Sequence, residues 1–385
     1  MRREVCGVIL CENGPDGTPA LFDGAAQVIV AQTLDSVAPA LQALDRARAD
    51  GAWIAGFAGY EVGLALEPRL AGLMPAGTGE PLLAFGVYEA PVPADAVLAL
   101  AASGAGAARL APLQPLVGRA AYDAAFAQVM AYIEAGDCYQ VNLTFPLESR
   151  MLAGTPLGLY GALRAVQPVG FGVYCDLGTG PLVMSRSPEL FFTLDAGGQI
   201  SARPMKGTAP RDPNPARDAA LAAELGASEK ARAENLMIVD LLRNDIGRIA
   251  RIGSVKVPEL YKVEPFATVH QMSSRVVGQL DGQPGLTDLM AALFPCGSVT
   301  GAPKIRAMQI IAEVEPHPRG IYCGAMGWMA PDGRAAFNVA IRTLRLYSDG
   351  RVLLNVGGAV VHDSTAAGEW EEALWKARFA ELNPA

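Results

Sequence analysis

The sequence predicts an α+β fold in which antiparallel β-sheets form the core and helices are segregated from them. Three observations carry that prediction. Strand-like runs follow one another without the strict strand–helix–strand alternation that builds a parallel sheet. Turns rich in Gly and Pro punctuate them, the chain holding 42 Gly and 28 Pro. Hydrophobic residues make up 51% of the 385 and charged residues 18%, enough to fill a large core. At roughly 150 residues per domain, this length allows one large or two to three ordinary domains.

In order along the chain, short strands are expected over 5–10, 26–31, 53–60 and 82–88, with an alanine-rich helix over 36–49. Residues 101–118 are mostly Ala, Gly, Leu and Pro. Flexible linkers are more polar, so this stretch reads as a boundary or cover segment. It divides an N-terminal part, 1–115, from a C-terminal part, 116–385, packed as one globular unit. Residues 121–135 repeat at helical spacing, with Phe126, Met130 and Ile133 on one face and Gly136 as the stop. A strand over 138–147 follows, and strands then dominate through Pro204 (170–176, 182–186, 190–194). Helices are expected over 215–225, 228–244, 287–293 and 303–314. Strands over 321–329, 335–347 and 351–357 precede a closing helix over 367–382.

Composition removes several functions. A net charge of −8 and a pI near 5.1 argue against a nucleic-acid or anionic-membrane partner, which would need a basic face. No apolar run reaches the roughly 18–20 residues of a membrane span. The first apolar run ends at Glu12, too early for a signal peptide. The six cysteines are scattered without a Cys-x-x-Cys pair, which fits reduced thiols in a cytoplasmic protein. Three histidines are too few for a zinc site of clustered imidazoles.

The chemistry concentrates in the second part. Lys206 lies in Arg203-Pro-Met-Lys-Gly-Thr208, with Glu189 seventeen residues earlier. Lysine becomes a nucleophile when burial or a neighbouring cation lowers its pKa, and the flanking Leu190-Phe191-Phe192 and Pro204-Met205 are apolar. The bland alternative is a solvated lysine on an edge strand. The helix 231–245 has no single polar face and should be mostly buried, so Glu234, Asp240, Arg243 and Asp245 each need a partner or a metal. Asp240 and Arg243 can pair at i,i+3, whereas Glu234 is open either to a second salt bridge or to a cation. On the last helix Glu369 and Glu372 share one face. Carboxylates from two helices suit Mg²⁺, while a solvated face with a Glu372–Lys376 pair is the other reading. Between these helices, Phe294-Pro-Cys-Gly-Ser-Val-Thr-Gly-Ala-Pro-Lys304 lacks the Gly-Lys-Ser/Thr ending of a phosphate loop. Thr300 or Gly301 could cap the following helix, leaving amides open to a carboxylate. Arg342 on a strand and a Gly357-Gly358-Ala359 turn could hold another, giving a dianionic small molecule near Mg²⁺.

These stretches, with Arg319-Gly-Ile-Tyr-Cys-Gly324 and Glu369-Trp-Glu-Glu372, together resemble the chorismate-utilising enzymes over about residues 119–380. Residues 51–64 (GAWIAGFAGYEVGL) resemble the N-terminal part of the same family. The resemblance implies a sandwich-like core of large antiparallel sheets with helices outside. The lysine of PMKGT discriminates within the family. Members that aminate chorismate at carbon four are similar there, whereas those that aminate carbon two or form isochorismate or salicylate usually carry alanine. It therefore implies an Mg²⁺-dependent synthesis of 4-amino-4-deoxychorismate, for 4-aminobenzoate and folate, with amination at carbon two and loss of pyruvate as the alternative. By the same resemblance Lys206 attacks ring carbon two and Glu189 is the general acid, while His270 and Mg²⁺ help the carbon-four hydroxyl leave. For His270 a satisfied histidine at a strand end is the alternative. Glu234 and Glu372 would hold Mg²⁺ with Glu369 beside them, and Gly207, Thr208, Tyr322, Arg342, Gly357, Gly358 and Lys376 would contact substrate. Ala231 and Ala359 depart from the acid and the glycine that relatives often carry, and Ala20-Leu-Phe-Asp-Gly24 lacks the signature tied to tryptophan binding. A glutamine amidotransferase needs a Cys on a tight Gly-x-Cys-x-Gly turn, and Phe294 stands where Cys296 would need the glycine. A separate amidotransferase subunit is therefore implied as the ammonia source.

Overall fold

A computed structural model describes residues 7–75, 79–265 and 269–382. Val5 and Cys6 of the first expected strand lie outside them. Two large antiparallel sheets pack with helices around them, the α+β arrangement expected. Among the described residues, the first sheet runs in the order Gly301–Ala302, Gln140–Ala153, Arg351–Val360, Thr343–Leu346, Leu182–Ser187, Phe171–Asp176, Val8–Cys11, Ala20–Phe22, Val92–Pro93. The second runs Met205–Pro210, Val269–Gln279, Gln199–Arg203, Leu190–Leu194, Ala335–Val339, Ala325–Met329, Trp53–Ala58, Leu83–Tyr88, Gln27–Ala31. Residues of the N-terminal part thus complete both sheets: Val8–Cys11 pairs with Phe171–Asp176, and Trp53–Ala58 pairs with Ala325–Met329.

The chain passes between the sheets twice at one level. It leaves the first sheet at Ser187 and enters the second at Leu190, so Pro188 and Glu189 lie in the crossing. It leaves the second at Val339 and re-enters the first at Thr343, with Arg342 in the crossing at φ 51°. The two crossings are tied by backbone bonds from Val339 N–H to the Glu189 carbonyl (3.1 Å) and from Arg186 N–H to the Arg342 carbonyl (2.9 Å). The strand expected over 335–347 is therefore two strands in two sheets, and Arg342 is on neither. Hydrophobic alternation continues through the crossing, which is why the pattern alone hides it.

Other elements correct the sequence reading. The strand Arg351–Val360 stays paired with Gln140–Ala153 through Gly357, Gly358 and Ala359, so those three are ladder residues and form no turn. The stretch read as cover contains the end of a helix, Asp95–Gly104, and two short strands, Arg109–Leu110 and Gln114–Pro115, that add to Gln140–Ala153. Pro303 caps the helix Lys304–Val314, and Gly301–Ala302 pairs as a strand, so neither Thr300 nor Gly301 is the cap. The hairpin of Lys256–Pro265 and Val269–Gln279 was not foreseen. Its outer strand alternates half-buried and exposed positions with charges at Lys256, Glu259, Lys262 and Glu264, the habit of an edge strand. The helix Glu229–Gly247 is amphipathic and not mostly buried: Ile238, Val239 and Leu242 face the core, while Leu236, Asp240 and Arg243 are exposed. Asp240 and Arg243 do pair, at 2.9 Å.

Candidate active site

Lys206 lies on the edge strand Met205–Pro210, where the register with Val269–Gln279 shifts between Met205 and Thr208. The irregularity needs Gly207, whose φ is +83° and whose carbonyl accepts from Gln271 Nε2 at 2.8 Å. A Cβ there would come within 2.8 Å of Ala231 Cβ, so the helix Glu229–Gly247 lies directly against this strand. Ala231 is thereby a packing residue beside Leu225 and Met272. Burial is the main reason that the Lys206 amine sits below the usual lysine pKa. The Glu189, Glu234 and Glu372 charges oppose that shift, and Lys376 reinforces it.

Glu189, at the first crossing, is 6% exposed and its Oε1 has no hydrogen-bond partner. Burial pushes its carboxyl up, against a hydrogen bond from Ser298 and the charge of Lys206. Ser298 belongs to the 294–304 loop and also meets Cys296 Sγ at 3.2 Å. The pair thus consists of an amine made easier to deprotonate and an acid that holds its proton above the usual carboxylate range. Those are the shifts that nucleophilic attack and proton donation each require.

The closing helix, Ala366–Ala377, supplies the other side. Glu372 meets Lys376 at 2.8 Å, so the i,i+4 pair is present. Burial raises Glu372, but Lys376, Lys206 and Lys230 outweigh it and leave its pKa below the usual value. Glu369 accepts from Ser364 Oγ at 2.7 Å and is pushed up by burial, with Glu372 and Glu234 adding to the rise. Lys376 also donates to the Gly357 carbonyl at 2.9 Å. A Cβ on Gly358 would lie 2.6 Å from Glu369 Oε2, so a side chain there would push the Glu369 carboxylate from its present place over the strand. Lys206, Glu189, Glu234, Glu369, Glu372 and Lys376 therefore share one electrostatic neighbourhood. Among the described residues no three metal-ligating side chains are grouped closely enough to form a ready-made ion site. Beyond burial, the like charge of Glu372 and Glu234 adds to the rise of Glu369, and a divalent cation would relieve that part, so the donor set fits Mg²⁺ by its chemistry.

The remaining expected residues divide. Arg342 is half-buried, its pKa lowered by burial, and no described side chain or carbonyl partners its guanidinium. Tyr322 is buried in the turn Arg319-Gly-Ile-Tyr-Cys-Gly324, next to Cys323, which senses the Glu189 charge. Thr208 is exposed and donates to Gln271 Oε1 at 3.0 Å. His270 is 4% exposed, with Nε2 at 2.8 Å from Asp218 Oδ1 and Nδ1 unpartnered. Its described partner is thus on the helix Pro215–Ala227 and not in the Lys206 cluster. Ser298, Asp218 and Lys230 were missed. Ser298 stood inside a quoted motif, while nothing local marks Asp218 or Lys230.

The family model for chorismate binding enzymes matches residues 8–381. This chain belongs to that family. It is 44% identical over 258 residues to aminodeoxychorismate synthase component 1 of Escherichia coli strain K12, covering 67% of this chain and 56% of that one. It is also 44% identical over 252 residues to anthranilate synthase component 1 of Streptomyces coelicolor, covering 66% of this chain and 49% of that one. The chain thus spans about half the length of these relatives in alignment. The crystal structure of anthranilate synthase component I from Streptococcus pneumoniae superposes with a TM-score of 0.80 at 26% identity, over 99% of this chain and 93% of that one.

Proposed function

We propose that this enzyme aminates chorismate at carbon four, giving 4-amino-4-deoxychorismate on the route to 4-aminobenzoate and folate. The observation that carries the reading is Lys206 itself, a lysine with a depressed pKa sharing a buried neighbourhood with an acid whose pKa is raised. The Lys206 amine adds to ring carbon two, both conjugated ring double bonds shift by one position, and the carbon-four hydroxyl leaves as water with the proton from Glu189. Ammonia then adds at carbon four, the shift reverses, and the carbon two–nitrogen bond to Lys206 breaks. The proton lost by the new amine restores the Glu189 acid. Arg342, without a partner among the described residues, receives one substrate carboxylate, and Lys376 with the Gly357–Gly358 ladder borders the other. Glu234, Glu369 and Glu372 would hold Mg²⁺, which when bound offsets charge on carboxylates and on a departing oxygen. We give the proton to Glu189 because its unpartnered carboxyl shares the Lys206 neighbourhood, whereas the described partner of His270, Asp218, lies outside it.

Ammonia is proposed to come from a glutamine amidotransferase partner. Cys296 is no substitute, since burial pushes its thiol up to about 12. No helix among the described residues is long and apolar enough to cross a membrane. Five buried free cysteines support a place in the cytoplasm. The second reading, amination at carbon two to give anthranilate, draws on the Streptomyces coelicolor relative of equal identity. Incubation with chorismate, ammonium and Mg²⁺, with products separated by chromatography, decides between them. An anthranilate product would overturn the proposal.

A further inference from the structure

Tyr60 and Glu61 follow the strand Trp53–Ala58 and meet the Arg319–Gly324 turn. Glu61 Oε1 accepts from the N–H of Arg319 at 2.7 Å and of Gly320 at 3.2 Å. The Tyr60 N–H donates to the Gly320 carbonyl at 2.7 Å, and the Arg319 guanidinium lies 4.5 Å over the Tyr60 ring. The approach is close enough that a Cβ on Gly59 would sit 2.9 Å from the Gly320 carbonyl oxygen. Glu61 is 3% exposed, and its Oε2 has no hydrogen-bond partner. It is not there to neutralise Arg319, whose side chain is taken by Glu315 (2.7 and 2.8 Å) and by the carbonyls of Val299 (3.0 Å) and Asn142 (2.6 Å). A carboxyl left half-satisfied in the interior is costly, and here it is spent on two consecutive amides. Two such bonds fix the peptide planes that begin the turn. The Tyr322 N–H then bonds the Arg319 carbonyl at 3.2 Å, and the Cys323 N–H bonds the Ala340 carbonyl at 3.0 Å, at the second crossing.

We infer that Glu61 is a positioning residue, by which the N-terminal part fixes the Arg319–Gly324 turn and, through it, Tyr322 against the chorismate ring. The inference rests on the chorismate reading of the site. Its test compares Glu61→Ala, the volume-keeping Glu61→Met, and Glu61→Gln, which retains the acceptor oxygen. Hydrogen exchange read by mass spectrometry should show the 319–324 amides opening at least about tenfold faster in the Ala and Met variants, with the Phe171–Asp176 strand unchanged. The KM for chorismate should rise about tenfold while kcat stays within about threefold, the pattern of lost binding rather than lost chemistry. Glu61→Gln should match the parent in both measurements. Parent-like exchange at 319–324 in the Met variant overturns the clamp, as does a Gln variant as impaired as Ala. If Ala and Met both fail to fold, the Gln variant alone decides, by keeping or losing that protection. If the parent does not turn over chorismate, the catalytic reading fails, and exchange alone still decides the clamp.

Discussion

Two buried acid–base clusters in this molecule are built from similar groups and end in opposite states. In the first sheet, the fully buried Arg186 donates to both oxygens of Glu12, to the Gln167 carbonyl at 3.0 and 3.2 Å and to Tyr160 Oη at 3.1 Å. Tyr160 in turn donates to Glu12 at 2.7 Å. At the sheet crossings and on the edge strand that carries Lys206, by contrast, Glu189 keeps an unpartnered oxygen, and among the described residues Arg342 and Lys206 are under-paired cations whose pKa values burial lowers. The satisfied cluster spends its hydrogen bonds on holding sheet and helix together. The crossing cluster leaves groups unsatisfied, and those are the ones with chemistry to offer a ligand.

The sharpest break of that contrast is Lys206→Ala. Carbon-four amination should fall by about 10³-fold or more, because a whole covalent step disappears. Intact mass after incubation with chorismate should show an adduct on the parent and none on the variant. Full turnover by the variant would mean that Lys206 only binds. Next in size is Arg186→Met, which leaves Glu12 buried without its main partner. Stability should drop by about 3–5 kcal/mol in chemical denaturation. Residual folded enzyme should keep the parent KM, since no side chain of this cluster touches a proposed substrate group and the one link, from the Arg186 backbone N–H to the Arg342 carbonyl, is kept by methionine. A changed KM would merge the two clusters into one.

A smaller effect is expected at the carboxylates. Glu234→Gln or Glu372→Gln keeps size and removes a charge that Mg²⁺ needs, so the Mg²⁺ concentration for half-activity should rise about tenfold or more without a change in melting temperature. Unaltered magnesium dependence in both variants would return these residues to ordinary ion pairing. The smallest effect concerns pH. The Glu189 charge favours protonated Lys206, so its removal should lower the lysine pKa further. In Glu189→Gln, the pH midpoint for labelling Lys206 with an amine reagent should move down, and an upward shift would show that the two groups are not coupled.

The groups proposed to carry this chemistry could be picked out in the sequence because local motifs hold them: PMKGT, the 231–245 run and the final helix each bring their own backbone geometry. What stayed hidden depends on distant pairing. The Asp218–His270 bond joins residues 52 apart in the chain, and no periodicity reports it. Gly357 and Gly358 looked like a turn because two glycines usually break a strand. They stay in the ladder because Gln140–Ala153 pairs with them residue for residue, Gly357 opposite Thr144 and Gly358 opposite Leu143, and a Cβ on Gly357 would come 2.3 Å from the Leu143 carbonyl oxygen. The helix Glu229–Gly247 seemed buried because its apolar residues are many, but Leu236 spends its side chain on solvent. The overall class survived these errors because runs of strands dictate antiparallel pairing whatever their exact ends.

The crossing at Arg342 has a mechanical consequence. The guanidinium hangs from the short bridge between Val339 in one sheet and Thr343 in the other. A dianion seated on it and on the Gly357–Gly358 ladder would act as a rivet through both layers of the sandwich. Sliding of the layers would strain the grip, and gripping would resist the slide. Occupancy should therefore stiffen the protein far beyond the pocket, with melting rising in step with ligand concentration.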